Sequence, residues 1–196
     1  IWSRREAGVP KRDAAFMAAR RSGILEAAAT VLVDSGAVGF STTEVCRVAS
    51  VSMGNLYAYF PSKAELLLAL GRELLTKRDR MFEASTWRVL RGSIVNLIDF
   101  LRTDDGHRAA RLDIELSILA CSQPRLAHEL AEQRLDMMLE RTVRNLGASV
   151  AEAEQLVGGL TSLIAGWTYL VAIGQGMPAG AIGAVDAILG QRSCPE

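Results

Sequence analysis

Cysteine and histidine, which most metal sites and many catalytic sites require, are scarce in this sequence. Among 196 residues there are three cysteines and two histidines. Cys46, Cys121 and Cys194 are odd in number and widely spaced, which favours reduced thiols in a cytoplasmic protein over a disulfide framework. His107 and His128 have no metal-ligand spacing to each other or to a cysteine. The sequence therefore predicts no metal site and no cofactor.

The patterns typical of enzymes and of exported proteins are also missing. There is no glycine-rich phosphate loop and no nucleophile elbow, so we expect no catalytic activity. The first residues are basic, but no apolar run follows them, which is not the pattern of a secretory signal peptide. A hydrophobic content of 49% and a charged content of 22% are typical of a folded globular protein.

The net charge of zero conceals an uneven distribution of charge. Residues 1–80 contain 12 Lys and Arg against 8 Asp and Glu, a net of +4, whereas residues 81–196 contain 10 against 14, a net of −4. A basic first half indicates contact with a polyanion, provided that a nucleic-acid-binding element lies in the same half.

Apolar residues recur at helical spacing along most of the chain, and no strand pattern competes with them. The spacing predicts a first helix from about Ala14 to Gly36, after a basic arm over residues 1–12. Further apolar stripes predict a helix from Ser62, one over 87–101 ended by Asp104-Asp105-Gly106, one over 112–119, a long helix over 124–146 and another over 150–174. The sequence therefore predicts an all-α fold.

Two short helices separated by a three-residue turn are predicted between residues 41 and 60. Ser41 and Glu44 form a capping box, and Phe40 and Val45 a hydrophobic staple, so a helix begins at Thr42 with Val45, Val48 and Ala49 on its inner face. Residues 50–52 form the turn. Ser52 is a suitable N-cap for a second helix from Met53 to Tyr59, before Pro61. This arrangement is a helix-turn-helix.

The second of these short helices has the composition of a DNA-recognition helix, which lies in the major groove. Leu56 and Phe60 share its inner face, at positions i and i+4. Asn55 is the best candidate for direct base contact, Met53 for contact with a thymine methyl group, and Gly54 for close backbone approach. The hydroxyl groups of Tyr57 and Tyr59, with the ammonium group of Lys63, are candidates to bind phosphates. The alternative is that both tyrosines pack within the protein and Lys63 is a solvated surface charge.

These residues resemble the N-terminal domain of the tetracycline-repressor-like (TetR) family. The similarity is carried by STTEV at 41–45 and VSMGNLYAYFPSKAELL at 51–67, and it extends over about 50 residues from the first helix. Cys46 and Ser50 depart from the alanine and glycine usual in the family. The resemblance implies that Thr42 and Thr43 contact the DNA backbone or a base edge, that Met53, Gly54 and Asn55 face bases, and that Tyr57, Tyr59 and Lys63 hold phosphates.

The resemblance also implies a division into two domains. Residues 1–61 would form the basic arm and the DNA-binding domain, and residues 62–196 a helical domain for ligand binding and dimer formation. In the family, the last two long helices pair across a two-fold axis, and here these would be 124–146 and 150–174. Leu156, Leu163 and Leu170 recur every seven residues, which suits a four-helix interface. A buried core helix without a dimer is the alternative.

Evidence for a ligand pocket is limited to a few side chains. Trp87, Phe100 and Trp167, together with Phe82, are aromatic residues that could line a cavity or belong to the core. Glu115 shares a face with Leu112 and Leu119, so it would meet a cationic ligand or pair with Arg111 one turn away.

The sequence thus predicts a cytoplasmic, homodimeric repressor that leaves a palindromic double-stranded DNA operator when an unidentified small molecule binds. The alternative is a helical scaffold or adaptor protein without DNA binding. Residues 155–185 carry no charge, but interior glycines and centrally placed aromatic residues favour a buried helix over a membrane span. The operator sequence, the ligand and the regulated genes are not encoded in any pattern of the chain.

Overall fold

The computed structural model describes residues 14–81, 84–132 and 135–190, and within these ranges it contains ten helices and no strand. The all-α prediction is confirmed. The predicted basic arm, Phe82 and Cys194 lie outside the described residues. The helices are α1 (Ala14–Gly39), α2 (Thr42–Ala49), α3 (Met53–Tyr59), α4 (Lys63–Met81), α5 (Trp87–Leu101), α6 (Asp104–Ala120), α7 (Pro124–Glu132), α8 (Leu135–Asn145), α9 (Val150–Ala172) and α10 (Ala181–Leu189).

Helix α1 is interrupted at Gly36, where the sequence pattern predicts its end. The backbone angles of Gly36 are φ 69° and ψ 173°, which are outside the helical region and unfavourable for any residue with a Cβ atom. The chain therefore turns here and reaches α2 through a short segment that ends at Phe40.

The first hydrophobic core joins α1–α4 to parts of α6 and α7. Val45 and Cys46 of α2 are buried in it, whereas Val48 is 38% exposed. The predicted inner face of α2 is therefore wrong at Val48, because the packing of α1 against α2 centres the buried face on Val45 and Cys46. The cluster includes α4 residues from Leu66 to Leu70, so it continues across the predicted domain boundary after residue 61. That boundary stays a prediction.

The second hydrophobic core lies among α5, α8, α9 and α10 and contains Trp167. Helix α10 is absent from the sequence-based prediction, although Ala181, Val185 and Leu189 are all buried at positions i, i+4 and i+8. Its glycines and its short length hid this pattern. An Arg91–Asp186 ion pair, with Nε–Oδ1 at 2.6 Å, ties α10 to α5.

Helix α6 connects the two halves of the molecule. Its N-terminal part contributes Ala110 to a small cluster with Leu101 and Val171, and its C-terminal part contributes Leu116 and Leu119 to the first core. A single helix therefore packs against both the C-terminal and the N-terminal helices.

The segment Asp104-Asp105-Gly106 begins α6, so the prediction that it ends the preceding helix is wrong. The Thr103 hydroxyl caps α6 by accepting from Gly106 N at 3.1 Å. The two aspartates lie in the first turn, where negative charge complements the helix dipole. A Cβ atom on Gly106 would overlap the carbonyl oxygen of Phe100, so this tight connection requires glycine.

The predicted helix over 124–146 corresponds to α7 and α8, on either side of residues 133–134, which lie outside the described residues. The predicted helix over 150–174 is α9. Its cap is a full capping box, in which Ser149 Oγ accepts from Glu152 N and the Glu152 carboxylate accepts from Ser149 N.

In the other two predicted capping boxes the serine hydroxyl accepts from the glutamate N–H, but the glutamate carboxylate does not accept from the serine N–H. Ser41 Oγ accepts from Glu44 N, but the Glu44 carboxylate accepts from Arg47, with Nη2–Oε1 at 2.6 Å. Before α4, Glu65 N donates to Ser62 Oγ, and the Glu65 carboxylate accepts from Arg125 at 2.8 Å. A nearby guanidinium competes for the carboxylate, because charge-assisted hydrogen bonds are stronger than those to a neutral amide.

Helix α9 is the one described helix that is long and apolar enough to cross a membrane. The core helix of a globular protein has the same composition, and α9 buries seven side chains against its neighbours. In the described ranges, no group of three or more His, Cys, Asp or Glu residues is arranged to hold a metal ion.

Candidate nucleic-acid interface

Helices α2 and α3 begin where the sequence predicts, and each has a serine N-cap. Ser41 Oγ and Ser52 Oγ accept from Glu44 N and Asn55 N, both at 3.2 Å. Val51 N donates to Cys46 O at 3.0 Å, which closes the turn between the helices. Because both helix starts are fixed by caps, the orientation of α3 relative to α2 is set locally.

The turn depends on a left-handed backbone conformation at Ser50, with φ 51° and ψ 49°. Ser50 is the one non-glycine residue with positive φ in the part of the chain that the structure describes. Its carbonyl accepts from Arg20 Nη2 at 3.1 Å, so α1 holds the turn from behind. Glycine suits this position because it has no Cβ atom, which in the left-handed conformation lies too close to the backbone carbonyl.

The inner face of α3 is fully packed and its outer face is open. Leu56 and Phe60 are 0% and 2% exposed, as predicted, whereas Met53 and Tyr57 are 37% and 41% exposed. A Cβ atom on Gly54 would meet nothing within 4 Å. The protein itself therefore does not require glycine at this position, and an external surface could approach the backbone closely.

The other residues of α2 and α3 that are predicted to contact DNA differ in their exposure. Thr43 is exposed, and Thr42 and Asn55 are half-buried. Tyr59 is half-buried, and its hydroxyl donates to Met17 Sδ at 3.2 Å. Tyr59 therefore packs against the first core and bonds to α1, and its contact with a phosphate stays a prediction.

Lys63 contacts the segment that leads into α2. Its ammonium group donates to Phe40 O at 2.8 Å and lies 5.0 Å from the centre of the Phe40 ring. The side chain is exposed, and an ammonium group has three donors, so this contact leaves capacity for a phosphate. The structure gives Lys63 a positioning role that the sequence pattern did not reveal.

Arg47 is an exposed cation of α2 that the sequence-based prediction did not include. Its hydrogen bond to Glu44 lowers the pKa of that carboxyl group and raises the pKa of the guanidinium group. Both side chains are solvent-exposed, so the pair offsets part of the positive charge on this surface.

Comparison with known proteins agrees with this geometry. Residues 24–70, which include α2, the turn and α3, match bacterial regulatory proteins of the tetR family. The similarity to tetR-family regulators therefore covers the helix-turn-helix and parts of the helices that flank it. A 58-residue segment is 40% identical to the HTH-type transcriptional regulator BetI of Rhizobium meliloti strain 1021, and it spans 30% of this chain and 29% of BetI.

Solved structures of regulators share the fold over most of the chain. A transcriptional regulator from Rhodococcus sp. Rha1 has a TM-score of 0.71 at 19% identity, covering 90% of this chain and 99% of that one. Salmonella enterica GusR has a TM-score of 0.70 at 20% identity, covering 90% and 96%. The shared fold therefore includes the C-terminal helices as well as the matched N-terminal segment.

The four predicted ligand residues do not share one environment. Trp167 is 5% exposed in the second core, with Trp87 packed against the same cluster. Phe100 is 38% exposed. The Glu115 carboxylate accepts from Ala37 N at 2.7 Å and does not pair with Arg111. A shared role of these residues in ligand binding stays a prediction.

An open face of small residues runs along α9. Gly158, Ser162, Ala165, Gly166 and Tyr169 are all exposed and recur at helical spacing. Cβ atoms on Gly158 or Gly166 would meet nothing within 4 Å, so packing within one protomer does not require these glycines. A groove of about 430 Å³ between α9 and α10 continues this face and is lined by Glu152, Gln155, Leu156, Gly159, Ala187 and Ile188.

Proposed function

We propose that this protein is a transcriptional regulator that binds a palindromic operator as a dimer, represses the adjacent genes, and is released by a small molecule. The outer face of α3 carries this proposal. Its inner side is buried, its start is capped, and Met53, Gly54 and Tyr57 on its outer side are exposed, with nothing within 4 Å of a Cβ atom on Gly54. DNA in bacteria lies in the cytoplasm, where we expect the protein to act.

The experiment is a fluorescence-anisotropy titration of labelled DNA from the region upstream of the gene. We expect binding that weakens steeply with salt, because phosphate contacts release counterions. Tyr57→Phe removes one hydroxyl from an exposed position and should weaken binding to all sequences alike. Asn55→Ala should instead reduce the preference between bases.

Gly54 offers a sharp test, since the space above it is empty within the protein. Gly54→Val should leave most of the fold intact and abolish operator binding, because the added side chain would separate α3 from the bases. Gly92→Val, at an α5 glycine whose Cβ would also meet nothing within 4 Å, provides a matched control outside the helix-turn-helix and should bind as wild type. Wild-type operator affinity in the Gly54 and Tyr57 variants together would contradict the assignment of α3 as the recognition helix.

Lys63→Ala and Tyr59→Ala are less direct tests than the sequence alone indicates. Both side chains also contact the protein, through Phe40 O and Met17 Sδ. Their variants should weaken DNA binding through a shifted α2–α3 unit as well as through lost phosphate contacts. Thermal denaturation beside the binding titration separates the two effects.

We propose further that the dimer forms through α9 and α10. Isologous packing of two such faces buries the small residues of α9, which allow close helix approach, and lets side chains enter the groove beside α10. This interface differs from the predicted pair of helices 124–146 and 150–174, since α10 takes the place of the earlier one. A dimer presents two recognition helices to two half-sites of a palindrome.

Gly166→Arg tests the interface cleanly, because a side chain there points into open space within one protomer. We expect a folded monomer by sedimentation velocity. Leu163→Glu is a poorer choice, since Leu163 packs against the second core. Asn96→Arg on the exposed side of α5 is the control. A dimeric Gly166→Arg protein of unchanged stability would contradict the proposed interface.

Ligand response is typical of tetR-family regulators and is proposed here on that basis. An inducer must bind the DNA-incompetent arrangement more tightly than the competent one, since equal affinity shifts nothing. The assay titrates small apolar molecules, cationic and neutral, against the preformed protein–operator complex and follows release by anisotropy. Comparison of wild type with Trp87→Ala and Phe100→Leu then tests the predicted aromatic residues.

A further inference from the structure

The short segment between the Gly36 kink and α2 is held from two sides by helices outside the helix-turn-helix. Glu115 of α6 accepts from Ala37 N at 2.7 Å, and Lys63 of α4 donates to Phe40 O at 2.8 Å. Residues 37–40 therefore have one attachment to α6 and one to α4. The segment is followed directly by Ser41, the N-cap of α2.

The kink makes the Ala37 amide available to a side chain. Because the backbone of Gly36 is not helical, the chain changes direction there, and Ala37 N faces Glu115 of α6. A Cβ atom on Gly36 would lie 3.5 Å from Glu115 Oε2 and 3.6 Å from Oε1, which shows how closely the carboxylate approaches the kink. The site is partly buried, where a hydrogen bond to a charged acceptor is stronger than in water.

Helix α6 can couple changes in the C-terminal helices to the contact between Glu115 and Ala37 N. Leu116, next to Glu115, is fully buried in the first core, and Ala110, nearer the middle of α6, is buried against Leu101 and Val171. A shift of α6 in response to packing changes beside α5 or α9 therefore moves the Glu115 carboxylate relative to Lys63.

We propose that Glu115 is a positioning residue for DNA binding: its contact with Ala37 N sets the entry of α2 and hence the placement of α3. This inference rests on the proposed function and extends it to regulation of the same surface. A displacement of α6 that breaks or shifts this contact would release the start of α2 while leaving the α2–α3 caps intact. The recognition helix would then lose its fixed placement without unfolding.

The test compares Glu115→Gln, Glu115→Asp and Glu115→Ala with wild type. Glutamine retains an acceptor oxygen at the same reach, so operator affinity should stay within about twofold of wild type. Aspartate keeps the charge but is one methylene shorter, and alanine has no acceptor, so both should lose about tenfold in affinity, a change of about 1.4 kcal/mol. Arg111→Ala, on the exposed side of the same helix, is the control and should bind as wild type.

Amide hydrogen exchange provides the readout that a merely stabilising residue would not change. We expect faster exchange of amides 37–45 in the Asp and Ala variants, with the core amides of α5 and α9 unchanged. A uniform increase over all helices would assign Glu115 to general stability and overturn the proposal. A folded Glu115→Ala protein with wild-type affinity would overturn it equally.

The two proposals fail differently. If wild-type protein does not bind DNA at any salt concentration, the proposed function is wrong, and exchange at residues 37–45 still decides whether Glu115 positions α2. If wild type binds and all three variants bind equally well, the proposed function stands and the role of Glu115 is wrong.

Discussion

Replacement of Ser50 by glycine should stabilise the protein, because Ser50 occupies the left-handed region at φ 51°. A residue with a Cβ atom in this region is destabilised by about 1–2 kcal/mol. Glycine avoids this strain but loses more conformational entropy on folding, about 0.5–1 kcal/mol relative to alanine. The difference predicts a net gain of about 0.5–1 kcal/mol.

Nothing else in the structure is lost with the serine side chain. Ser50 is exposed, and its hydrogen bonds to Arg47 O and from Arg20 both use the backbone, which glycine retains. For a protein of this size, each kcal/mol changes the melting temperature by about 2–4 °C. We therefore expect Ser50→Gly to melt about 1–4 °C above wild type in differential scanning calorimetry.

Ser50→Ala is the matched control, since alanine removes the hydroxyl but keeps the Cβ atom. It should melt within about a degree of wild type, because alanine keeps the Cβ atom and therefore the same backbone strain. Operator affinity should be equal or higher in the glycine variant, since the turn is unchanged. Equal melting temperatures for glycine and alanine variants would refute the assignment of strain to Ser50.

Three further predictions concern the fold. Gly106→Ala should destabilise the protein by at least about 3 kcal/mol in urea denaturation, because the added Cβ overlaps backbone atoms of the preceding helix. Gly92→Ala is the control: it has open space around it and should stabilise the protein by up to about 1 kcal/mol. Leu116→Ala should destabilise by about 2–5 kcal/mol, since Leu116 is fully buried. The hydrogen bond from Arg72 lowers the pKa of the Glu129 carboxyl group. This pair therefore stabilises the fold above the unfolded pKa of about 4.3, and the contribution is lost as pH falls through the lowered folded pKa. An Arg72→Gln protein should lose less stability in acid than wild type, and an equal loss would contradict the pairing.

Local patterns in the sequence determined the helical class, the starts of α2, α3 and α9, and the inner face of α3. Serine caps and i, i+4 apolar pairs act within one or two turns, so they retain their meaning without knowledge of distant residues. The candidate recognition residues depend on this local geometry alone. For the same reason the interruption of α1 at Gly36 was predictable from a single residue.

Tertiary packing decided which of several possible partners each side chain took. Glu44 and Glu65 pair with arginines and leave their capping boxes half-formed, and Glu115 binds the backbone of Ala37, 78 residues away in sequence. No local pattern contains that partner, because the contact exists only once α6 packs against α1. The burial of Cys46 in place of Val48 has the same origin, since the direction from which α1 covers α2 selects the buried face.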